Sequence, residues 1–246
     1  MPHDWDAASY DRLPIPMTGW GLGVLERLPL RGDERVLDAG CGTGQVTEAL
    51  RERLPDVAIV ALDASPSMLE RARARARLGD DRVTFLAHDL LEPIPIPPVD
   101  AILSTATFHW VPDHDRLFAN LAAVLRPDGR MAAQSGGAGN LRRVNDAVAR
   151  ATGIDLTATK VYPTAEATTG RLQRAGFTDV ECWLHDEPVE LPGDELETYL
   201  RTIILSGEVA RRTPAEAVDF VHAVATELGA PTIDYVRLDI AARRGP

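Results

Sequence analysis

The segment VLDAGCGTG, residues 36–44, places three glycines at two-residue steps directly after a short apolar run. Glycine has no Cβ, so such a segment turns tightly and brings its backbone close to a ligand. A helix predicted from residue 45 would point its N–H groups and the positive end of its dipole at the same place. Nicotinamide dinucleotide sites need glycine or alanine at the sixth position of this pattern, where Gln45 stands here. The segment therefore predicts a ligand-binding loop and disfavours a dehydrogenase.

Three aspartates, Asp38, Asp63 and Asp89, lie at the carboxyl ends of three successive predicted strands. The carboxyl ends of parallel strands meet at the crevice where open α/β sheets bind ligands. Asp63 stands at about the interval at which a βαβ unit places an acid for the two hydroxyls of a ribose. Asp89, followed by Leu90, is placed to accept an exocyclic amine while the leucine flanks a purine ring. Helix capping explains one aspartate after a strand, but three beside a glycine loop favour a ligand site.

The strands and helices that would position these residues are predicted from the sequence pattern. Short β-branched runs alternate with longer helical patterns, which is typical of a parallel sheet flanked by helices. We predict strands at residues 36–39, 58–64, 83–89, 100–107, 130–136, 179–191 and 234–244. We predict helices at residues 45–54, from residue 66, within 115–129, and at 141–151, 164–175, 194–206 and 214–228. The two helical stretches between the last two strands form either a lid over one sheet edge or ordinary packing helices.

Composition and charge exclude several classes of function. A formal net charge of −11 disfavours nucleic acid and anionic membranes as partners, because both repel an acidic chain. The only two cysteines, Cys41 and Cys182, provide neither a disulfide framework nor a cysteine-rich zinc site. His185, Asp186 and Glu187 are adjacent on a predicted strand and do not converge on one metal ion. With no signal-peptide pattern and no long apolar run, we expect a cytoplasmic protein without a metal.

Five motifs, VLDAGCGTG, LDASPSML, AHDL, STATFHW and LRPDGR, occur in this order over residues 36–135. In type and spacing they resemble the successive motifs of class I S-adenosylmethionine-dependent methyltransferases. The segments WDAASYDR, FHW and ARRG further resemble the trans-aconitate methyltransferase-like group of that family. STATFHW differs from the Asp/Asn-Pro-Pro-aromatic motif of enzymes that methylate nucleic-acid amino groups, so a small-molecule substrate is favoured.

The resemblance implies a Rossmann-like α/β fold: a seven-stranded, mostly parallel sheet with its last strand antiparallel and helices on both faces. It implies S-adenosylmethionine as the cofactor. Asp38, Gly40 and Gly42 would then meet its methionine end. Asp63 would bind the ribose, and Asp89 with Leu90 the adenine, while Ser104 would lie beneath the sulfonium. We predict one domain over residues 1–246, divided into an N-terminal cap helix (1–30), a cofactor-binding core (31–135), substrate-side helices (136–178) and the last two strands (179–246) with a helical insertion at 194–228.

The substrate side is less closely defined by the sequence. His109 follows the fourth strand and is either a general base for a hydroxyl substrate or a polar residue at the rim of the site. Tyr10, Trp20 and Trp110 are candidate pocket walls, and Arg142 is a candidate partner for a substrate carboxylate. We predict O-methylation of a small carboxylic acid. The alternatives are methylation of a phenol, amine or carbon nucleophile, and a non-catalytic module that binds S-adenosylmethionine.

Overall fold

Seven strands form one sheet in the computed structural model, which describes residues 16–75, 79, 81–156, 159–192 and 194–246. In chain order its strands are β1 (Arg35–Ala39), β2 (Ala58–Asp63), β3 (Val83–Ala87), β4 (Val99–Thr105), β5 (Leu125–Gly136), β6 (Phe177–Asp186) and β9 (Val236–Arg244). Two short strands, β7 (Val189–Glu190) and β8 (Thr232–Ile233), pair with each other in a separate sheet.

The strand order β3-β2-β1-β4-β5-β9-β6 confirms the predicted fold. Strands β1 to β5 pair in parallel, and β9 runs antiparallel to both of its neighbours, β5 and β6. The chain moves outward from β1 through β2 to β3 and then returns to place β4 on the other side of β1. This reversal beside β1 opens a crevice at the carboxyl ends of the parallel strands.

Nine α-helices lie in the described residues: α1 (Pro16–Glu26), α2 (Gln45–Arg53), α3 (Pro66–Arg73), α4 (His114–Val124), α5 (Arg142–Thr152), α6 (Ala165–Arg174), α7 (Leu196–Tyr199), α8 (Ser206–Val209) and α9 (Pro214–Leu228). The predicted start of α3 is confirmed, because Ser65 accepts a hydrogen bond from the Met68 N–H and Pro66 occupies the first turn. A capping box between Thr213 and Glu216 begins α9.

Several predicted elements are wrong in their extent: the strand predicted at 130–136 already begins at Leu125, and the strand predicted at 83–89 ends at Ala87. The strand predicted at 179–191 ends at Asp186, and only Val189–Glu190 continues as β7, because Pro188 between them has no N–H to donate to the sheet. The helix predicted at 194–206 is divided into α7, a π-helical segment (Leu200–Ile204) and α8. The wider π turn buries Ile203, Ile204 and Leu205 together, although these consecutive residues would spread around a regular helix.

The helical insertion packs against α5 and covers the crevice. Val144 of α5, Leu200 of the π segment and Val224 of α9 are fully buried in one apolar cluster, which is separate from the clusters on the two faces of the sheet. This packing holds the insertion above the carboxyl ends of the strands. None of the helices that the structure describes is long and apolar enough to span a bilayer.

Candidate active site

A cavity of about 710 Å³ opens at the carboxyl ends of the parallel strands, beneath the helical insertion. The loops after β1, β2, β3 and β4 form one part of its wall, and the insertion and the start of β9 form another. Seven of the residues predicted for the site line this cavity: Gly40, Gly42, Asp63, Asp89, Leu90, His109 and Trp110. The fold thus collects most of the predicted side chains around one space.

The glycine loop adopts backbone conformations that favour glycine. Gly40 has φ +85°, and a Cβ there would collide with the side chain of Thr107. Gly42 has φ +54°, but a Cβ there would meet no described atom within 4 Å, because this glycine faces the open cavity. The first glycine therefore allows the loop to pack on the strand β4 side, and the second keeps the cavity floor clear.

Asp63 is fixed on the cavity wall by two backbone N–H groups. Its Oδ2 accepts a hydrogen bond from Gly42 N at 2.9 Å, and its Oδ1 accepts one from Ser65 N at 2.8 Å. Burial raises the pKa of this carboxyl, and the two backbone donors oppose the rise. The carboxyl group joins the glycine loop to the start of α3 and keeps further lone pairs for a ligand.

Asp38 and Ser104 lie beneath the cavity floor and do not line the cavity. Asp38 Oδ2 accepts from the Thr47 hydroxyl at 2.6 Å, and burial raises the pKa of Asp38 to about 7. Its Oδ1 is a buried acceptor with no hydrogen-bond partner among the described residues. Ser104 donates to the Ala39 carbonyl at 2.6 Å, which ties β4 to the end of β1. Both residues therefore brace the glycine loop from below.

Asp89 and Leu90 follow the end of β3 and line the cavity. Asp89 is exposed and accepts a hydrogen bond from Leu91 N at 2.9 Å. Leu90 is buried and presents an apolar surface to the same space. An exposed acceptor beside an apolar wall suits a flat ring that bears an amino group.

His109 is buried, and its hydrogen bond shows which ring nitrogen carries the proton. Its Nδ1 accepts from the Gly136 N–H at 3.3 Å, so the ring proton resides on Nε2. Burial, assisted by the charges of Lys160 and Arg237, holds the pKa of His109 well below its ordinary value. The ring stacks on Tyr162 with centroids 5.9 Å apart. His109 is therefore a neutral imidazole whose Nε2–H can donate a hydrogen bond.

Two cations on the cavity wall were not among the predicted site residues. Lys160 lies with its Nζ 4.4 Å from the centre of the Trp110 ring, and burial lowers its pKa to about 8. Arg237 is buried at the start of β9, where its guanidinium carbon lies 4.6 Å from the Trp20 ring centre. Lys160 is the only lysine in a chain rich in arginine, and this exception could have marked it in the sequence as a candidate site residue. No sequence signal pointed to Arg237, because β9 is distant in the sequence from the glycine loop and only the fold brings the two to the same cavity.

Three other predicted substrate residues lie elsewhere. Arg142 is exposed at the first position of α5 and does not line the cavity. Trp20 lies behind the wall, in edge contact with Tyr235 at a centroid distance of 5.2 Å, and it supports Arg237 instead of lining the cavity itself. Tyr10 is outside the described residues. Within the part of the chain that the structure describes, no cluster of three His, Cys, Asp or Glu side chains could hold a metal ion.

Comparisons with known proteins agree with this geometry. A protein-family model described as a methyltransferase domain matches residues 36–129. A trans-aconitate 2-methyltransferase of Methylobacterium nodulans is 37% identical over 182 residues, which cover 74% of this chain and 67% of that protein. A trans-aconitate 2-methyltransferase of Escherichia coli K12 is 35% identical over 131 residues, which cover 53% of this chain and 50% of the length of that relative.

Solved structures share the fold at low sequence identity. The YcgJ protein of Bacillus subtilis has a TM-score of 0.68 and 19% identity, and the alignment covers 93% of this chain and 99% of that one. Phosphoethanolamine N-methyltransferase 2 of Haemonchus contortus, in complex with phosphomonomethylethanolamine and S-adenosylhomocysteine, has a TM-score of 0.63 and 20% identity, covering 93% of this chain and 53% of that one.

Proposed function

This chain belongs to the class I S-adenosylmethionine-dependent methyltransferases, and we propose that it methylates a small carboxylic acid at a carboxylate oxygen. One observation carries the choice of substrate: Lys160 and Arg237 both line the cavity, together with the neutral His109, and the charge of each helps to lower the pKa of that histidine. Two cations and one N–H donor in the same cavity suit a carboxylate. The names of the trans-aconitate 2-methyltransferases among the relatives support the same substrate class.

The glycine loop and the strand ends fit S-adenosylmethionine. The open space above Gly42 allows close approach of a ligand to the loop backbone. We assign Asp63 to the ribose hydroxyls and Asp89 with Leu90 to the adenine, because each lines the cavity with acceptor atoms or apolar surface. Asp38 and Ser104 lie below the floor, so we assign them to supporting the loop at the methionine end.

The cofactor supplies a methyl group that its sulfonium already activates, so the protein's contribution is position and environment. Lys160 and Arg237 neutralise the carboxylate as it leaves water, and the His109 Nε2–H fixes its orientation by a hydrogen bond. Ile203 and Leu205 of the insertion form an apolar part of the same wall and exclude water from the reacting atoms. A carboxylate is ionised at neutral pH, so no group needs to remove a proton.

The state of His109 disfavours the alternatives that require a base. A phenol or alcohol must lose a proton as it is methylated. The Nδ1 lone pair of His109 already accepts the Gly136 N–H, and its low pKa makes the ring a poor proton acceptor. A non-catalytic module that binds S-adenosylmethionine would need no cationic wall beside the cofactor residues.

The test measures conversion of S-adenosylmethionine to S-adenosylhomocysteine with a panel of small carboxylic acids, with trans-aconitate included, and with the corresponding primary amides. We expect turnover of at least one acid and of none of the amides. Lys160→Met should raise the KM for that acid about tenfold or more, because it removes a charged partner. Turnover of amides, amines or phenols in place of acids would contradict the proposal. The single-domain organisation and the cytoplasmic location stay predictions.

A further inference from the structure

Gln134 connects Arg237 to a buried aspartate. Gln134 lies directly opposite Asp239 in the pairing of β5 with β9, and both side chains are buried. The Gln134 amide donates from Nε2 to Asp239 Oδ1 at 3.0 Å, and its Oε1 accepts from Arg237 Nε at 3.2 Å. The amide thus stands between the Asp239 carboxylate and the guanidinium of Arg237, and of these three residues Arg237 lines the cavity.

The two neighbours of Gln134 leave its amide only one orientation. A carboxylate only accepts hydrogen bonds and a guanidinium only donates them, so the amide nitrogen must face Asp239 and the oxygen must face Arg237. Asp239 is itself held by an ion pair between its Oδ1 and Arg27. A carboxylate held by Arg27 therefore fixes the Gln134 amide, and with it the position of the amide oxygen.

We propose that Gln134 is a positioning residue that holds the Arg237 guanidinium in the orientation needed to receive the carboxylate of the substrate. This inference rests on the proposed function, which assigns Arg237 to that carboxylate. The hydrogen bond at Nε and the Trp20 ring over the guanidinium restrict a side chain that otherwise has many rotamers. A guanidinium fixed before binding loses less conformational entropy when it meets its partner.

The test is a double-mutant cycle with Gln134→Met, Arg237→Met and the combination. Methionine has a similar length and shape to glutamine but cannot accept the hydrogen bond. We expect Gln134→Met to raise the KM for the acid about tenfold, from the loss of a hydrogen bond to a charged group. The kcat and the Kd for S-adenosylmethionine should change less than about twofold. In the Arg237→Met background, Gln134→Met should have no further effect on KM.

Arg243→Met is the matched control, because Arg243 lies on the same strand but pairs with Asp128 at the surface, outside the cavity. It should leave KM unchanged. The inference is overturned if Gln134→Met leaves KM for the acid unchanged, or changes it by the same factor with and without Arg237. An equal change in the Kd for S-adenosylmethionine would also overturn it, since that result indicates a general structural effect.

A second readout needs no turnover. The Nε–H resonance of Arg237, assigned from its loss in Arg237→Met, should exchange slowly with solvent in the unmodified protein and rapidly in Gln134→Met. Unchanged exchange would overturn the positioning role. Faster exchange in a protein that methylates no acid would instead contradict the proposed substrate and support the positioning of Arg237 by Gln134.

Discussion

Substitutions of His109 distinguish methylation of a carboxylate from methylation that needs a base, because two different variants test the roles of its two ring nitrogens one at a time. Asparagine places an acceptor oxygen near the position of Nδ1 and has no donor at Nε2. Glutamine places a donor nitrogen near Nε2 and leaves the Gly136 N–H without its present acceptor. His109→Asn therefore removes the Nε2 donor, and His109→Gln removes the Nδ1 acceptor.

The expected magnitudes follow from these contacts. His109→Asn should lose a hydrogen bond to a charged substrate, about 1.5–3 kcal/mol, which raises KM roughly 10- to 100-fold and leaves the melting temperature nearly unchanged. His109→Gln should keep KM within a few-fold but lose about 1–3 kcal/mol of stability, because a buried N–H remains unsatisfied. Steady-state kinetics on the methylated acid and thermal unfolding measure these quantities.

A general base would give a different result. Neither amide accepts a proton, so both variants would lose about 10²–10⁴ in kcat and neither would be favoured over the other. The pH profile offers a second check. The pKa of His109 lies well below its ordinary value, so the unmodified enzyme should show no loss of rate from His109 protonation between about pH 6 and 7. Equal loss of kcat in both variants would refute the assignment of His109 as a donor.

Three further predictions concern the cofactor and the cationic wall. Asp63→Ala should weaken S-adenosylmethionine binding by about 1.5–3 kcal/mol in calorimetric titration, whereas the exposed Asp56→Ala should not change it. Gly42→Ala should fold, at a cost of about 1–2 kcal/mol for its positive φ, yet lose cofactor affinity because its Cβ enters the cavity; retained affinity would exclude close approach at this glycine. Lys160 loses its charge as the pH rises through about 8, so KM for the acid should rise above that pH, and Lys160→Arg should abolish the rise.

That Gly42, Asp63 and Asp89 line one cavity was predictable because each stands beside a strand that is recognisable in the local sequence. A glycine loop after one strand and single aspartates near the ends of the next two strands can be recognised from short sequence segments. The parallel arrangement of the strands then brings Gly42, Asp63 and Asp89 to the same edge of the sheet. Asp38 and Ser104 show the limit of this reasoning. Their positions at strand ends were correct, but the pleat directs their side chains beneath the loop and away from the cavity.

The substrate side was not predictable in the same way. Arg237 reaches the cavity because β9 is inserted antiparallel between β5 and β6, and its pairing with β5 joins segments about one hundred residues apart. Because arginine is abundant, its occurrence alone could not identify the one that lines the cavity, and α5 carries the predicted candidate Arg142 to the surface. The division of the strand at Pro188 was visible in the sequence, because proline cannot donate a hydrogen bond to the sheet.

The identity of the methylated atom tests the proposed function most directly. The protein would be supplied with S-adenosylmethionine carrying a carbon-13 methyl group and with the acid that gives the highest turnover, and the product would be examined by NMR before and after treatment with mild base. We predict a methyl ester signal that base converts to methanol. A base-stable N-methyl, C-methyl or aryl ether signal would contradict methylation of a carboxylate, and Lys160 and Arg237 would then need another role.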